Sequence, residues 1–147
     1  MPLAPPPRDS NSEVVPHDHD GILPDDGIIR RISEHWVILD QRLGRRRISS
    51  IAFKASSGSY GGMSVDLQRE IEEAGLNART YVSTPKWIGS IRLVAGEIRS
   101  AGFLIGYHPL ETNPYHGEVW GKFTKAEQQE LRNASDWFVP IPGVEIS

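Results

Sequence analysis

The sequence predicts a single α+β domain, a mixed or antiparallel sheet packed by about three helices, behind a disordered proline-rich N-terminal arm. Three observations carry this. Six of the eleven prolines (2, 5, 6, 7, 16 and 24) crowd into the first 24 residues, where little could form a core. From Gly27 onward strand patterns come first, then two helical patterns, then strands around a third helix, an order that suits α+β rather than alternating α/β. The length of 147 residues, 38% hydrophobic, fits one domain able to bury a core without staples. The expected division is an arm over 1–26 and a domain over 27–147.

Taken in order, proline fixes φ and removes a donor, so the arm reads as extended and mobile. Its "HDHD", His17 to Asp20, is read as a solvated tail, since alternating His and Asp on a flexible chain lacks a fixed ligand geometry. "GIIRRI" from Gly27 is the first strand, "WVIL" at 36–39 the second, and "RISSIAFK" at 47–54 a third with apolar residues on both faces. Between the last two lies the basic turn "QRLGRRR". "ASSGSYGGM" at 55–63 reads as a loop. A helix is then expected with Ser64 as N-cap, Asp66 in its first turn and Gly75 as its stop. A second helix is expected with Thr84 as cap, Pro85 in its first position, a stripe through Trp87, Ile91, Val94, Ala95 and Ile98, and Gly102 as its end. "FLIGYH" at 103–108 and "GEVWGKF" at 117–123 are strands, and Trp120, on the polar side of the latter, reads as an exposed aromatic of the contact-surface type. "TKAE" at 124–127 is a capping box opening a helix to about Ala134, and "DWFVPI" closes the chain as a short strand.

Composition excludes several functions. With no cysteine there are no disulfides, thiolate metal sites or cysteine nucleophiles. A net charge of −3 gives no overall drive toward nucleic acid or acidic membranes. No apolar run approaches the roughly 20 residues of a membrane span, and the N-terminal stretch lacks a signal-peptide core. A cytoplasmic protein without membrane attachment is expected.

The most function-like stretch is "HPLETNPYHGEV", 108–119. If the flanking strands pair, His108 and His116 meet at the mouth of one loop. A metal site would need a third ligand, for which Glu111 and Glu118 are the nearest choices. With neither clear, no metal or other cofactor is assigned. His116 suits general acid–base work at neutral pH, on the strand side of Glu118, Trp120 and Lys122, and Asn113 belongs to the same turn. The loop before Ser64 matches no nucleotide-binding fingerprint. Arg42, Arg45, Arg46 and Arg47, with Arg30 and Arg31 upstream, form a local basic patch suited to phosphates, nucleic acid or an acidic protein.

Two resemblances attach to these residues. The order Arg30 or Arg31, Ser49, Glu118 is similar to the layout of ADP-ribosyltransferase folds, which implies arginine and serine positioning NAD and glutamate activating an acceptor. Separately, "RRISSIAF", "GGMSVDL" and "NPYHGEVWGK" resemble segments shared by a family of small bacterial proteins with no established activity, over about residues 28–140. That resemblance nominates Ser49, Ser50, Phe53, Ser64, Asp66, Asn113 and His116.

Two function classes follow. One is an accessory or interaction module presenting the basic turn and sheet to a protein partner or nucleic acid. The other is a small enzyme acting on a phosphate-bearing substrate, nuclease-like or NAD-consuming, as in a toxin or defence component. In it His116, Ser50 and Glu118 are catalytic, and Arg31, Arg47, Ser49 and Asn113 hold substrate. The enzyme class requires His116, Ser50 and an arginine to share a cleft.

Overall fold

The computed structural model describes residues 3–56, 59–83 and 87–147. Among them are nine strands and four short α-helices, an α+β arrangement in one domain. The strands are Gly27–Ile32 (β1), Val37–Asp40 (β2), Arg45–Ile48 (β3), Met63–Leu67 (β4), Gly89–Val94 (β5), Leu104–Tyr107 (β6), His116–Trp120 (β7), Asp136–Val139 (β8) and Val144–Glu145 (β9). The helices are Gln68–Glu73 (α1), Ala78–Tyr81 (α2), Ala95–Ser100 (α3) and Lys125–Asn133 (α4).

A six-stranded sheet runs β6-β7-β4-β1-β5-β8, with every neighbouring pair antiparallel. A smaller sheet, β2-β3-β9, joins an antiparallel hairpin to a parallel C-terminal strand. Successive side chains in a strand point to opposite faces, so β1 divides its isoleucines. Ile28 and Ile32 enter the main core with Ile48, Phe53, Ile91 and Ile105, while Ile29 faces a second cluster of Ile71, Ala78, Val82 and Phe138. Each such fully buried aliphatic side chain contributes roughly 1.5–3 kcal/mol. Arg132 ties α4 to the smaller sheet: its Nη1 donates to the carbonyls of Ile48 (2.8 Å) and Ile146, and the guanidinium lies 5.1 Å from the Phe53 ring.

Several elements differ from the sequence reading. The expected helix from Ser64 is strand β4 as far as Leu67, and only then α1, which ends as predicted before Gly75 at φ +82°. The expected helix through Ile91 is the central strand β5 followed by α3, ended by Gly102 at φ +95°. There Ile91 and Leu93 alternate with Ser90 and Arg92, and this period of two prevails because β5 is hydrogen-bonded on both sides. Thr84 and Pro85 lie outside the described residues. Gly89 is packing-dictated, because a Cβ there would sit 2.8 Å from the Val139 carbonyl oxygen. The strand expected over 47–54 stops at Ile48, and Ser50–Phe53 is a 3-10 turn. The capping box at Thr124 does not close, since its side chain makes no cap bond. Trp120 is not an exposed aromatic but only 4% accessible, its ring 5.3 Å from that of His17.

The solvated-tail reading of His17–Asp20 is also corrected. The segment has no helix and lies along the free edge of β6. His17 Nε2 accepts from the Tyr107 amide (3.1 Å), Asp18 Oδ1 from the Ile105 amide (3.1 Å), and the His19 amide donates to the Ile105 carbonyl (2.8 Å). Asp18 also pairs with Arg99 at 2.9 Å, and Ile22 is buried in the main core. An uncovered sheet edge is a row of unpaired polar groups. The arm supplies the missing partners through the His17 and Asp18 side chains and the His19 backbone amide.

Candidate functional site

The site grows from a defect in the sheet. The β1–β4 ladder pairs Ile28 with Leu67 and Ile29 with Asp66. Beyond Asp66 the gap is bridged by a side chain: Arg30 Nη1 donates to the Ser64 carbonyl (2.8 Å) and to Ser56 Oγ (3.1 Å), while Nε donates to the Ala52 carbonyl (2.9 Å). Arg30 is 3% exposed, stacked 4.7 Å from the Trp36 ring, and burial pulls its guanidinium pKa down to about 10. It stays charged at neutral pH. A cleft of about 220 Å³ opens where the strands part, lined by Arg30, Arg31, Ser64, Asp66, Asn113 and His116, with Trp87 at its rim.

Strand alternation fills one face of the sheet with polar groups. Ser64 and Asp66 point away from the Met63, Val65 and Leu67 side of β4. Cross-strand partners share a face, and the β4–β7 register sets Asp66 opposite His116 and Ser64 opposite Glu118. Arg31, on the Ile29 side of β1, reaches across to grip Asp66 through Nε (2.8 Å) and Nη2 (3.1 Å). Asn113 Nδ2 also donates to Asp66 Oδ1 (2.8 Å), and Asn113 Oδ1 in turn accepts from the Tyr81 hydroxyl (2.6 Å) and the Tyr115 amide (3.2 Å). Every oxygen of Asp66 thus faces a donor.

His116 is held between two partners. Its Nδ1 lies 2.7 Å from the His108 carbonyl, which can only accept, so Nδ1 carries the proton. Nε2 is then the bare nitrogen, and it accepts from the Ser64 hydroxyl at 3.1 Å. Burial lowers the His116 pKa from the ordinary imidazole value, with the His108 carbonyl opposing that shift. The ring is therefore neutral at pH 7 and fit to take a proton. A serine hydroxyl donating to an oriented, neutral imidazole is the pairing needed for nucleophilic catalysis.

Behind this pair, Glu118 is 3% exposed, with Oε1 3.1 Å from His108 Nδ1. His108, His116 and Glu118 bring ligand-capable atoms within 4.8 Å of one another, so of the two carboxylates that the sequence offered beside the histidines it is Glu118 that stands near them. Both nitrogens of His116 are nevertheless engaged, one by a backbone carbonyl and one by Ser64.

Of the residues expected from sequence, the structure brings His116, Arg31 and Asn113 into one cleft, with Glu118 adjacent. Ser49, Ser50 and Arg47 do not line it. Ser49 Oγ caps the 3-10 turn by accepting from the Ile51 amide, Ser50 is exposed on that turn, and Arg47 pairs with Asp40 at 2.9 Å. The condition set from the sequence, that His116, Ser50 and an arginine share a cleft, is therefore not met for Ser50; the serine that meets His116 is Ser64. Residue-level reading missed it because Ser-Val-Asp mimics a helix start; the alternation of Met63, Val65 and Leu67 against Ser64 and Asp66 was the signal for a strand. Tyr81 and Trp87 were missed as well, the latter absorbed into a false helical stripe. Comparison of the chain with protein-family models, curated proteins and solved structures finds no match.

Proposed function

We propose that the chain is a small enzyme that cleaves or transfers a group on a phosphate-bearing substrate. Ser64 acts as nucleophile, His116 as general base and then acid, and Arg31, backed by Arg30, holds the anion. The observation that carries the reading is the Ser64 Oγ–His116 Nε2 hydrogen bond of 3.1 Å inside a cleft walled by two arginines. As Oγ attacks, its proton passes to Nε2; the resulting imidazolium gives that proton to the leaving group, and water repeats the sequence to free Ser64. Arg31 has donors to spare. A guanidinium has five N–H groups, of which Asp66 takes two, leaving three without a partner among the described residues. Among the residues lining the cleft two arginines stand against one carboxylate, a balance that suits an anionic substrate.

Activity screening with chromogenic phosphoesters and carboxylic esters tests this. Ser64→Ala and His116→Ala should each remove at least about a hundredfold of the turnover, whereas Ser50→Ala should change it less than twofold. Equal loss in Ser50→Ala, or none in Ser64→Ala, refutes the assignment.

The interaction-module reading keeps one observation of its own. Ile38, Leu39, Leu43 and Ile51 are large apolar side chains at least 40% exposed around the basic hairpin, where Arg42 and Arg46 face solvent. Arg45 is tied to Glu145 and to the Ser147 carbonyl. Such a surface suits a protein partner with an acidic rim, and pull-down with Leu39→Asp as the control tests it: capture that survives the substitution refutes the surface.

A further inference from the structure

The catalytic cleft is too small for a whole substrate. At about 220 Å³ it falls below the roughly 300–1,000 Å³ of small-molecule sites, so it takes an anionic group and leaves the remainder of the ligand to be housed next door. The adjoining space is a second pocket of about 320 Å³, and the two share Trp87 in their walls. This second pocket is walled by the indoles of Trp36 and Trp87, their centroids 6.3 Å apart and tilted by 51°, with Ser33, Glu34 and His35 supplying polar edges. Trp36 is held in place from the cleft side by the Arg30 guanidinium, 4.7 Å from its ring.

We infer that the substrate is a nucleotide, with its phosphate at Arg31 in the Ser64–His116 cleft and its base stacked in the Trp36–Trp87 pocket. The inference rests on the reading of the cleft as an anion-holding catalytic site and adds the identity of the group that accompanies the anion. Three features favour a base over an aliphatic tail. Two indole walls offer the π-faces on which bases stack, and such stacking tolerates any base. Glu34 and His35 line the same pocket and offer an acceptor and a polar ring to the polar edge of a base, groups that an alkyl chain would leave unsatisfied. Charge also sets the polarity of binding. Glu34 repels phosphate from the indole pocket, whereas Arg30 and Arg31 attract it to the cleft, so the ligand can enter in only one sense.

Calorimetric titration of full-length Ser64→Ala, which retains the binding groups, tests this with AMP, UMP, ribose 5-phosphate and inorganic phosphate. Ribose 5-phosphate is expected to bind, and AMP or UMP to bind at least about tenfold more tightly. Adding Trp36→Ala should bring the nucleotides down to the level of ribose 5-phosphate and leave ribose 5-phosphate unchanged. If that protein does not fold, Trp36→Leu, which keeps apolar bulk without a π-face, should show the same split. Nucleotides no tighter than ribose 5-phosphate overturn the inference and leave the cleft reading standing, as does an equal loss for all ligands on removing the indole. Failure of every phosphate to bind overturns both.

Discussion

Asp66→Asn removes one charge and almost no volume from the centre of the polar network, and its effect can be worked out in two directions. Asp66 is 3% exposed and accepts three hydrogen bonds, two from Arg31 and one from Asn113. An asparagine there keeps one acceptor but turns an NH2 toward a ring of donors. Removing one partner of a fully buried ion pair costs about 3–5 kcal/mol. Arg31 retains 19% side-chain exposure and the Tyr81 ring at 5.6 Å, so water and the π-face recover part of that, leaving about 2–3 kcal/mol. With a urea m-value near 2 kcal/mol/M, the unfolding midpoint should fall by about 1–1.5 M at unchanged m. Affinity for anions should move the opposite way. The cleft loses the one carboxylate among its lining residues, and Arg31 regains the two N–H groups that Asp66 held. At an effective dielectric of roughly 20–40 and a separation of roughly 7 Å, losing the carboxylate favours a bound phosphate by about 1–2 kcal/mol, near tenfold in affinity. Urea titration followed by phosphate calorimetry at low ionic strength reads both. A midpoint shifted by less than about 0.3 M, or phosphate affinity that falls with stability, would mean that Asp66 does not restrain Arg31 as described.

Two further outcomes follow from the same geometry. Burial lowers the His116 pKa, so the native protein binds fewer protons than the unfolded chain below the ordinary imidazole pKa. Its contribution to stability is complete above about pH 6.5 and is lost as pH falls toward the lowered native value; wild type should lose more stability than His116→Gln between pH 7.5 and 5, and parallel profiles would refute the burial argument. Catalysis should share the direction, with a loss on the acid side and no imidazole-dependent rise above neutrality. Gly106→Ala tests the seating of the arm, since its Cβ would meet the Trp120 ring at 2.5 Å and His17 Nε2 at 2.7 Å. It should cost about 1–3 kcal/mol as overpacking and expose the segment before Gly21 to limited proteolysis, a cleavage that wild type resists; identical digestion of the two proteins would show that His17 is not seated there.

The sequence made the polar row across β1, β4 and β7 only partly legible, for an identifiable reason. Where β-rich residues meet no helical alternative, as in Gly27–Ile32, the strand could be read directly, and where they alternate, as around Val119, its face as well. The hairpin carrying His108 and His116 was equally readable, and the His108 amide does donate to the His116 carbonyl at 3.0 Å. Ser64 and Asp66 were not, because a serine two residues before an aspartate satisfies the local chemistry of a helix cap as well as that of a half-polar strand. Local propensity cannot choose between the two when the segment is five residues long. Tertiary pairing chooses: β4 is bonded to β1 on one side and β7 on the other, and a helix there would orphan both ladders. The same conflict hid β5, where Ile91 and Leu93 fit a period of two, and Ile91, Val94, Ala95 and Ile98 fit one of 3.6. Ser49 and Ser50 misled in the opposite sense, their strand-like setting ending in a turn that Ser49 itself caps.

The break in the β1–β4 ladder explains why polar side chains of the kind that usually stay at the surface can stand together in this sheet. An unbroken antiparallel pair would press Arg31 and Ser64 side by side under the flanking elements, with no space for a ligand between them. Instead Arg30, projecting from the opposite face of β1, takes over the bonding of the Ser64 carbonyl and of the loop at Ala52 and Ser56. The Ser64 carbonyl freed by the split is thereby satisfied without closing it, and the Ser64 amide donates to Ser56 Oγ. The two neighbouring arginines therefore divide the work, with Arg30 propping the strands apart from below and Arg31 presenting its unused donors in the opening so formed. A lysine at position 30 has three donors on one nitrogen and could not span the Ala52, Ser56 and Ser64 acceptors in a plane. Arg30→Lys should therefore weaken anion binding through collapse of the cleft even though the charge is kept. Retention of full phosphate affinity in that variant would show that charge alone, and not the propped split, creates the site.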